Sequence, residues 1–337
     1  MIGIVTNWLV VTAIILNKTV NHSFSLLTSN QAIFNGVFSV VYLVYVVPMI
    51  FFDSSFMKLN VHHVAFILLI CYDASIHAHA IITINRFCAV FLPIAYKTLL
   101  SSTRTKVIIA FSFILSLAFL TILFQIYPCQ MYYNKELGLV YTDLPICMTY
   151  SKYGDIGKLI SFSIFNVIID TITVWKVRKV RSQHGKHKFT NKEIDFLKQS
   201  FSQAIYLLVT TSCFVIIPMY ITNPVAELIM GTFFWPTIHA LDGAITLYFN
   251  TEIQRSLLKY CSKTSLMIWA LDLDDDADTL LNLVSSAGLC SGGSGDKITY
   301  KCVPIDDVRW WTPENSDENR QGQCGKSAPF DKTAQRW

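Results

Sequence analysis

Charge is what this 337-residue chain has least of. Lys, Arg, Asp and Glu make up 15% of it, against about a quarter in ordinary soluble domains. Hydrophobic residues make up 53%, and the mean hydropathy is +0.43. The shortage is uneven: residues 19–52, 107–134 and 199–226 hold no charged side chain over 34, 28 and 28 positions. About 20 apolar residues cross a bilayer as a helix, so these windows argue against a soluble globular enzyme and predict membrane spans. Signal-peptide cores are shorter, about 7–15 residues, and sit at the N-terminus; windows inside the chain are not cleavable leaders. No internal repeat and no pair of broken helices is apparent, which counts against a transporter or channel built from inverted halves.

What is present organises into seven apolar runs, near 1–16, 26–52, 63–92, 107–127, 157–177, 200–222 and 225–249, and predicts an all-α membrane protein, a bundle of seven transmembrane helices. The first run is about 24 Å long at 1.5 Å per residue, short of a hydrocarbon core of roughly 30 Å, so part of the natural start is expected to be missing. Lys and Arg in the connections set the orientation. With the N-terminus outside and the C-terminus in the cytoplasm, the inner connections hold fifteen basic residues and the outer ones four: Lys58, Lys135, Lys152 and Lys158. The two glycosylation sequons, at Asn17 and Asn21, then fall on the inner side and are read as chance matches. Residues 1–263 form the membrane domain, with an interfacial amphipathic helix at 250–263 carrying Ile253, Leu257 and Leu258. Cys261 at its end is a candidate for lipidation. Residues 264–337 carry an acidic run at 272–276 and a Ser/Gly stretch, and are expected to form a flexible cytoplasmic tail.

Polar side chains within the spans are few, and each needs a partner, water or a function. The third span carries Asp73, His77, His79, Asn85 and Arg86, the fifth Asp170, the seventh His239 and Asp242; Asn7 and Asn35 lie in the first two. Counting by helical rise puts Asp73 about 20 Å outward of Arg86. Asp73 and His77, one turn apart, are expected to form a buried hydrogen-bonded unit under an outward cavity, with His79 pointing elsewhere. Asn7, Asn35, His239 and Asp242 fall at matched depths and are expected to tie helices together in a rearrangeable network. The same residue types suggest a rival, an intramembrane zinc hydrolase using Asp73, His77, His79, His239 and Asp242. His77 and His79 are roughly 200° apart around the helix, which argues against a shared metal.

The third span ends in Asn85-Arg86-Phe87, followed by Pro93 and Tyr96. This resembles the Asp-Arg-Tyr region of rhodopsin-like G-protein-coupled receptors, and its flavour is similar to the nematode chemosensory receptors called serpentine receptor class X. Gly3-x-x-x-Asn7, Asn35, Pro218 and the run from Leu241 to Asn250 resemble further positions of that family, so the resemblance covers residues 1 to about 263. It implies a receptor that binds an extracellular small molecule or peptide and signals to a heterotrimeric G protein from a sensory-neuron membrane, with no cofactor. Asn85, Arg86, Phe87, Asn7, Asn35, Pro218 and Asp242 would serve coupling. Pocket candidates by depth are Tyr45, Phe66, Asp73 and His77, with Phe234, Trp235 and His239 on the seventh span. The chain also departs from the pattern: Asn85 removes a carboxylate beside Arg86, Ile216 stands where many relatives have Trp, and Gly243 and Thr246 replace Pro and Tyr. Those departures keep open a truncated or non-signalling homologue. The outer cysteine expected on the third span is also absent, Val61 standing in its place. Cys129 and Cys147 in the second outer loop therefore either bridge each other or remain free thiols; a bridge closing roughly 18 residues would contribute about 3 kcal/mol.

Overall fold

The structure is a computed structural model. It describes residues 1–16, 22–135, 138–184, 191–216, 220, 223, 230–260, 290–291 and 301–302. Pro218, Cys261, the two sequon asparagines and the acidic run lie outside these residues, as does the side chain of Ile216. The chain divides into two units, Met1–Ser265 and Leu266–Trp337. In the second unit Cys290–Ser291 pairs antiparallel with Lys301–Cys302, which sets Cys290 opposite Cys302.

Among the described residues the first unit holds seven long helices: α1 (Ile2–Leu16), α2 (Ser23–Phe51), α3 (Val61–Phe91), α4 (Ser102–Gln125), α5 (145–184), α6 (Asn191–Ile216) and α7 (230–249), followed by α8 (251–260). Four of them, α2 to α5, are long and apolar enough to cross a membrane, and α1 is a shorter apolar helix. The first two turns of α6 carry Lys192, Glu193, Asp195 and Lys198, which lowers its apolar length among the described residues. Both α5 and α6 extend past the apolar runs at 157–177 and 200–222, because a helix continues through flanking Lys, Gln and Leu once water replaces lipid. At the end of α3, Leu92 leaves the helical region (φ −126°, ψ 53°), as expected for the residue before Pro93.

Burial follows the bundle. α3 is the central helix, with Leu68, Leu69, Tyr72 and Ile76 in the main core. Val107, Phe111, Ile114, Leu115, Phe119 and Ile122 of α4 are exposed, an apolar face that suits lipid and not water. An outer hairpin, β1 (Met131–Asn134) antiparallel to β2 (Gly138–Tyr141), sends Met131 and Tyr141 into the same core. Cys129 and Cys147, both fully buried, are joined in a disulfide beside it. The first helix is held by close approach: a Cβ on Gly3 would meet the Ala240 backbone at 2.8 Å, and one on Gly243 would meet the Asn7 backbone nitrogen at 2.8 Å. Small residues let helix backbones come this near, which gives Gly243 a reason that does not depend on the missing proline. Ile253 of α8 packs against Val10, Ala13 and Ile14 of α1, with Leu257 alongside; Leu258 is exposed.

Among the described residues three helices contain a π-helical turn: Tyr42–Val46 in α2, Tyr150–Ile156 in α5 and Met230–Phe234 in α7. Two precede a proline. Pro48 and Pro236 lack an N–H and crowd the carbonyl four residues earlier, and a wider turn relieves that crowding. The carbonyl that Pro236 cannot serve belongs to Thr232, and the Tyr42 hydroxyl donates to it. In α5 the Tyr150 ring lies where a Cβ on residue 154 would sit, so Gly154 makes room for it.

Candidate functional site

α3 carries polar side chains at three depths, named outer, middle and inner after the orientation expected from the sequence, and the rest of the bundle supplies different partners at each. In the outer layer, Asp73 is ion-paired with Lys158 of α5, whose ammonium also lies 5.6 Å above the Tyr72 ring. His77 turns away from Asp73: its Nδ1 is 3.0 Å from the Ser116 hydroxyl of α4, and its ring meets Phe162 edge-on at 5.6 Å. The expected Asp73–His77 unit is therefore corrected to two separate contacts. A lysine on α5 offers Asp73 a full opposite charge, which a neutral imidazole one turn away does not. Lys158 looked like one of four outer charges that merely set topology. Asp155 accepts a hydrogen bond from Tyr141 at 3.1 Å; burial first, then the Asp155 carboxylate, pushes the Tyr141 hydroxyl well above the usual phenol range.

The middle layer centres on Asp242, 2% exposed. Three nitrogens converge on its Oδ2: Gln31 Nε2 at 3.1 Å, Asn35 Nδ2 at 3.0 Å and His79 Nε2 at 2.8 Å. His79, 5% exposed, points away from His77 as expected, and reaches the centre of the network. It does so because it lies roughly 200° around α3 from His77, and so faces α2 and α7 while His77 faces α4 and α5. Asn35 Oδ1 accepts from His239 Nδ1 at 2.7 Å, and Asn7 donates to the His239 carbonyl at 3.0 Å and to the Gly3 carbonyl at 2.7 Å. Below, Gln203 of α6 donates to the Asp242 carbonyl at 3.3 Å and to the Thr246 hydroxyl at 3.2 Å, and Gln199 donates to Thr246 at 3.0 Å. The three glutamines were missed from the sequence. Gln31 was legible, being one turn before Asn35 on the same face of α2. Among the described residues no three His, Cys, Asp or Glu side chains are grouped to hold a metal ion.

In the inner layer Arg86, 7% exposed, stacks on Phe24 of α2 at 4.3 Å and lies 5.7 Å from the ring of Phe196 of α6. Asp170 accepts from the Ser200 hydroxyl at 2.8 Å and from Thr83 at 3.4 Å. Asn85 points its amide into the interior with Oδ1 unpartnered, and Phe87 stacks on Phe91 at 4.4 Å. On the short helix Pro93–Leu99 that follows, burial raises the Tyr96 hydroxyl above its ordinary range.

The pocket candidates separate. Trp235 meets Phe38 edge-on at 5.0 Å and Tyr72 at 6.0 Å, and His239 lies 4.0 Å from Phe38 and 6.1 Å from Tyr72; these rings form one box between the outer and middle layers. Tyr45 donates to the Met57 carbonyl at 2.9 Å, which ties α2 to the outer loop. Phe66 meets the tilted ring of Phe124 of α4 at 5.2 Å, and Phe234 lies beside Phe233 at the π-helical turn of α7.

Two comparisons with known proteins bear on this arrangement. The family described as serpentine type 7TM GPCR chemoreceptor Srx has a model that matches residues 1–250. Serpentine receptor class X 45 of Caenorhabditis elegans is 26% identical over 268 residues, which span 71% of this chain and 72% of that receptor.

Proposed function

The chain belongs to the Srx family of serpentine chemoreceptors, a receptor family and not an enzyme family, and from that premise we propose how this member works. An extracellular small molecule or peptide binds in the outer half of the bundle, near Asp73, Lys158 and the box of Tyr72, Trp235 and His239. The N-terminus is outside and the C-terminus cytoplasmic, and a heterotrimeric G protein reads the inner ends around Arg86, in a sensory-neuron membrane. A ligand shifts the bundle only by its differential affinity for two arrangements.

One observation carries this reading: polar and ring contacts succeed one another from the outer layer through the middle, and the backbone of α6 links them to the inner one. Lys158 lies over Tyr72, Tyr72 meets His239, His239 bonds Asn35 and Asn35 bonds Asp242. Gln203 and Gln199 continue the series through Thr246, and Ser200, next to Gln199, bonds Asp170. Contacts made of hydrogen bonds have discrete alternatives between which a ligand can select. Asn7, Asn35 and Asp242 serve coupling by holding α1, α2 and α7 in register. The experiment is a cell-based signalling assay of the intact chain and Arg86→Ala, with surface expression verified, against panels of small odorants and peptides. A stimulus-dependent response that disappears in Arg86→Ala is expected; silence of well-expressed intact protein throughout would favour a non-signalling homologue.

A further inference from the structure

Asp170 and Arg86 are buried charges of opposite sign at one level of the bundle, and neither completes its bonding. Asp170 is 0% exposed and its Oδ1 has no hydrogen-bond partner, while Nε and one terminal nitrogen of Arg86 have none either. The two groups act on each other electrostatically without a bond between them. Unpartnered buried charge is among the most unfavourable arrangements a protein retains, so something holds the pair apart.

That restraint comes largely from α6. Phe196 covers the Arg86 guanidinium together with Phe24, the two rings lying 4.4 Å apart. Ser200, four residues on and hence on the same face of α6, donates to Asp170 Oδ2 at 2.8 Å. On α3, Thr83 reaches the same Oδ2 at 3.4 Å from the face that Arg86 shares three residues later. One movement of α6 would therefore uncover the cation and release the anion together. We propose that Asp170 is the counter-ion Arg86 takes up when α6 withdraws Phe196 and Ser200, so that α6 gates this pairing. The carboxylate that Asn85 does not supply beside Arg86 comes from α5. The inference rests on the receptor reading for its consequence in signalling, and on the inner-layer geometry alone for its physics.

The test is a double-mutant cycle between Arg86→Met and Asp170→Asn, read as the melting temperature of the full chain in lipid nanodiscs, in the native background and again in a Phe196→Leu background. In the native background the two changes should depart from additivity only slightly, because the groups meet through space without a bond. In the Phe196→Leu background, where the clamp is gone, they should depart from additivity by at least about 2 °C, the shift of a coupling near 1 kcal/mol in a domain of this size. Coupling of equal size in both backgrounds means the pair is already formed at rest, and no coupling in either means it never forms; each overturns the proposal. Ligand-free nucleotide exchange on heterotrimeric G protein is measured on the same preparations. Phe196→Leu should raise it about tenfold, a typical allosteric coupling, and Asp170→Asn added to it should remove the gain. A gain that survives Asp170→Asn sinks the inference while the receptor reading stands. Silence of every preparation, with coupling still appearing in the Phe196→Leu background, sinks the G-protein reading and keeps the pairing.

Discussion

The middle and inner layers of this bundle each hold a buried Asp at the level of a basic side chain, yet they are built in opposite ways. Around Asp242, donors from α2 and α3 meet one carboxylate oxygen within 3.1 Å. Around Asp170, hydroxyls supply the hydrogen bonds, and the cation nearby lies on aromatic rings instead. A carboxylate that gathers three donors is held in place, although Asn7 Oδ1, Gln199 Oε1 and His239 Nε2 around it stay unpartnered; a carboxylate with an open oxygen retains a second arrangement that is better for its charge. The contrast places the more firmly held charge at Asp242 and the freer one at Asp170.

The sharpest way to break that comparison is Asp242→Ala. It leaves the Gln31, Asn35 and His79 groups without their acceptor in a site 2% exposed, and should lower stability by about 3 kcal/mol or more, each buried group left unsatisfied costing about 1–3 kcal/mol. Asp242→Asn keeps one acceptor oxygen and should lose much less; thermal unfolding of the two variants in nanodiscs measures the difference. Gly243→Ala attacks the same layer through the backbone. Its Cβ would meet Asn7 backbone and side-chain atoms at 2.8 Å, forcing α1 from α7 at about 1–3 kcal/mol. Reduced surface labelling together with a lowered melting temperature is expected; a native melting temperature would show that α1 yields freely.

The inner layer should respond differently. Arg86→Met removes the guanidinium stacked on Phe24, worth about 1–2 kcal/mol, and also removes a buried charge without a bonded counter-ion, so the two effects oppose. The melting temperature should move little, by no more than about 1 kcal/mol equivalent, while the response to any stimulus is lost. A destabilisation as large as that of Asp242→Ala would show that both layers are locked alike.

Much of this contrast was legible beforehand, for reasons that lie in helical geometry. Rise per residue placed Asn7, Asn35, His239 and Asp242 at one depth, and the structure joins them by hydrogen bonds. Rotation about the helix axis was harder to use. It separated His77 from His79 correctly, but which of the two faces meets α2 and α7 depends on packing across helices that no local pattern encodes. The same limit hid Lys158 as the partner of Asp73 and left Asp170 without a role. Helix ends also escaped, because α5 and α6 continue through charged turns that hydropathy alone assigns to loops. The π-helical turns of α2 and α7 could have been suspected from Pro48 and Pro236; that of α5 has Gly154 as its sole sequence mark.

A third aspartate completes the comparison at its weak end. Asp53 follows α2 in the left-handed region, at φ 50°, pairs with Lys58 and has Lys135 at 3.7 Å; Asp53 and Lys135 face water, while Lys58 is partly covered. The Lys58 hydrogen bond first, then the Lys135 and Lys58 charges, hold its carboxyl below the ordinary Asp range. A carboxyl depressed in the folded state adds stability that is present above the unfolded pKa, about 3.9, and is lost as pH falls through the lower folded value. Asp53→Asn keeps a residue type that tolerates φ > 0 and removes the charge. The variant should therefore match the native chain in its melting curve below the folded pKa and fall slightly behind it above about pH 4. Because the Asp53 carboxylate is exposed and its charges are screened by salt, that small gap should close on adding 1 M NaCl. A gap that persists in high salt would mean the loop depends on Asp53 for its shape and not for its charge, and the effect of Asp242 could then no longer be ascribed to burial alone.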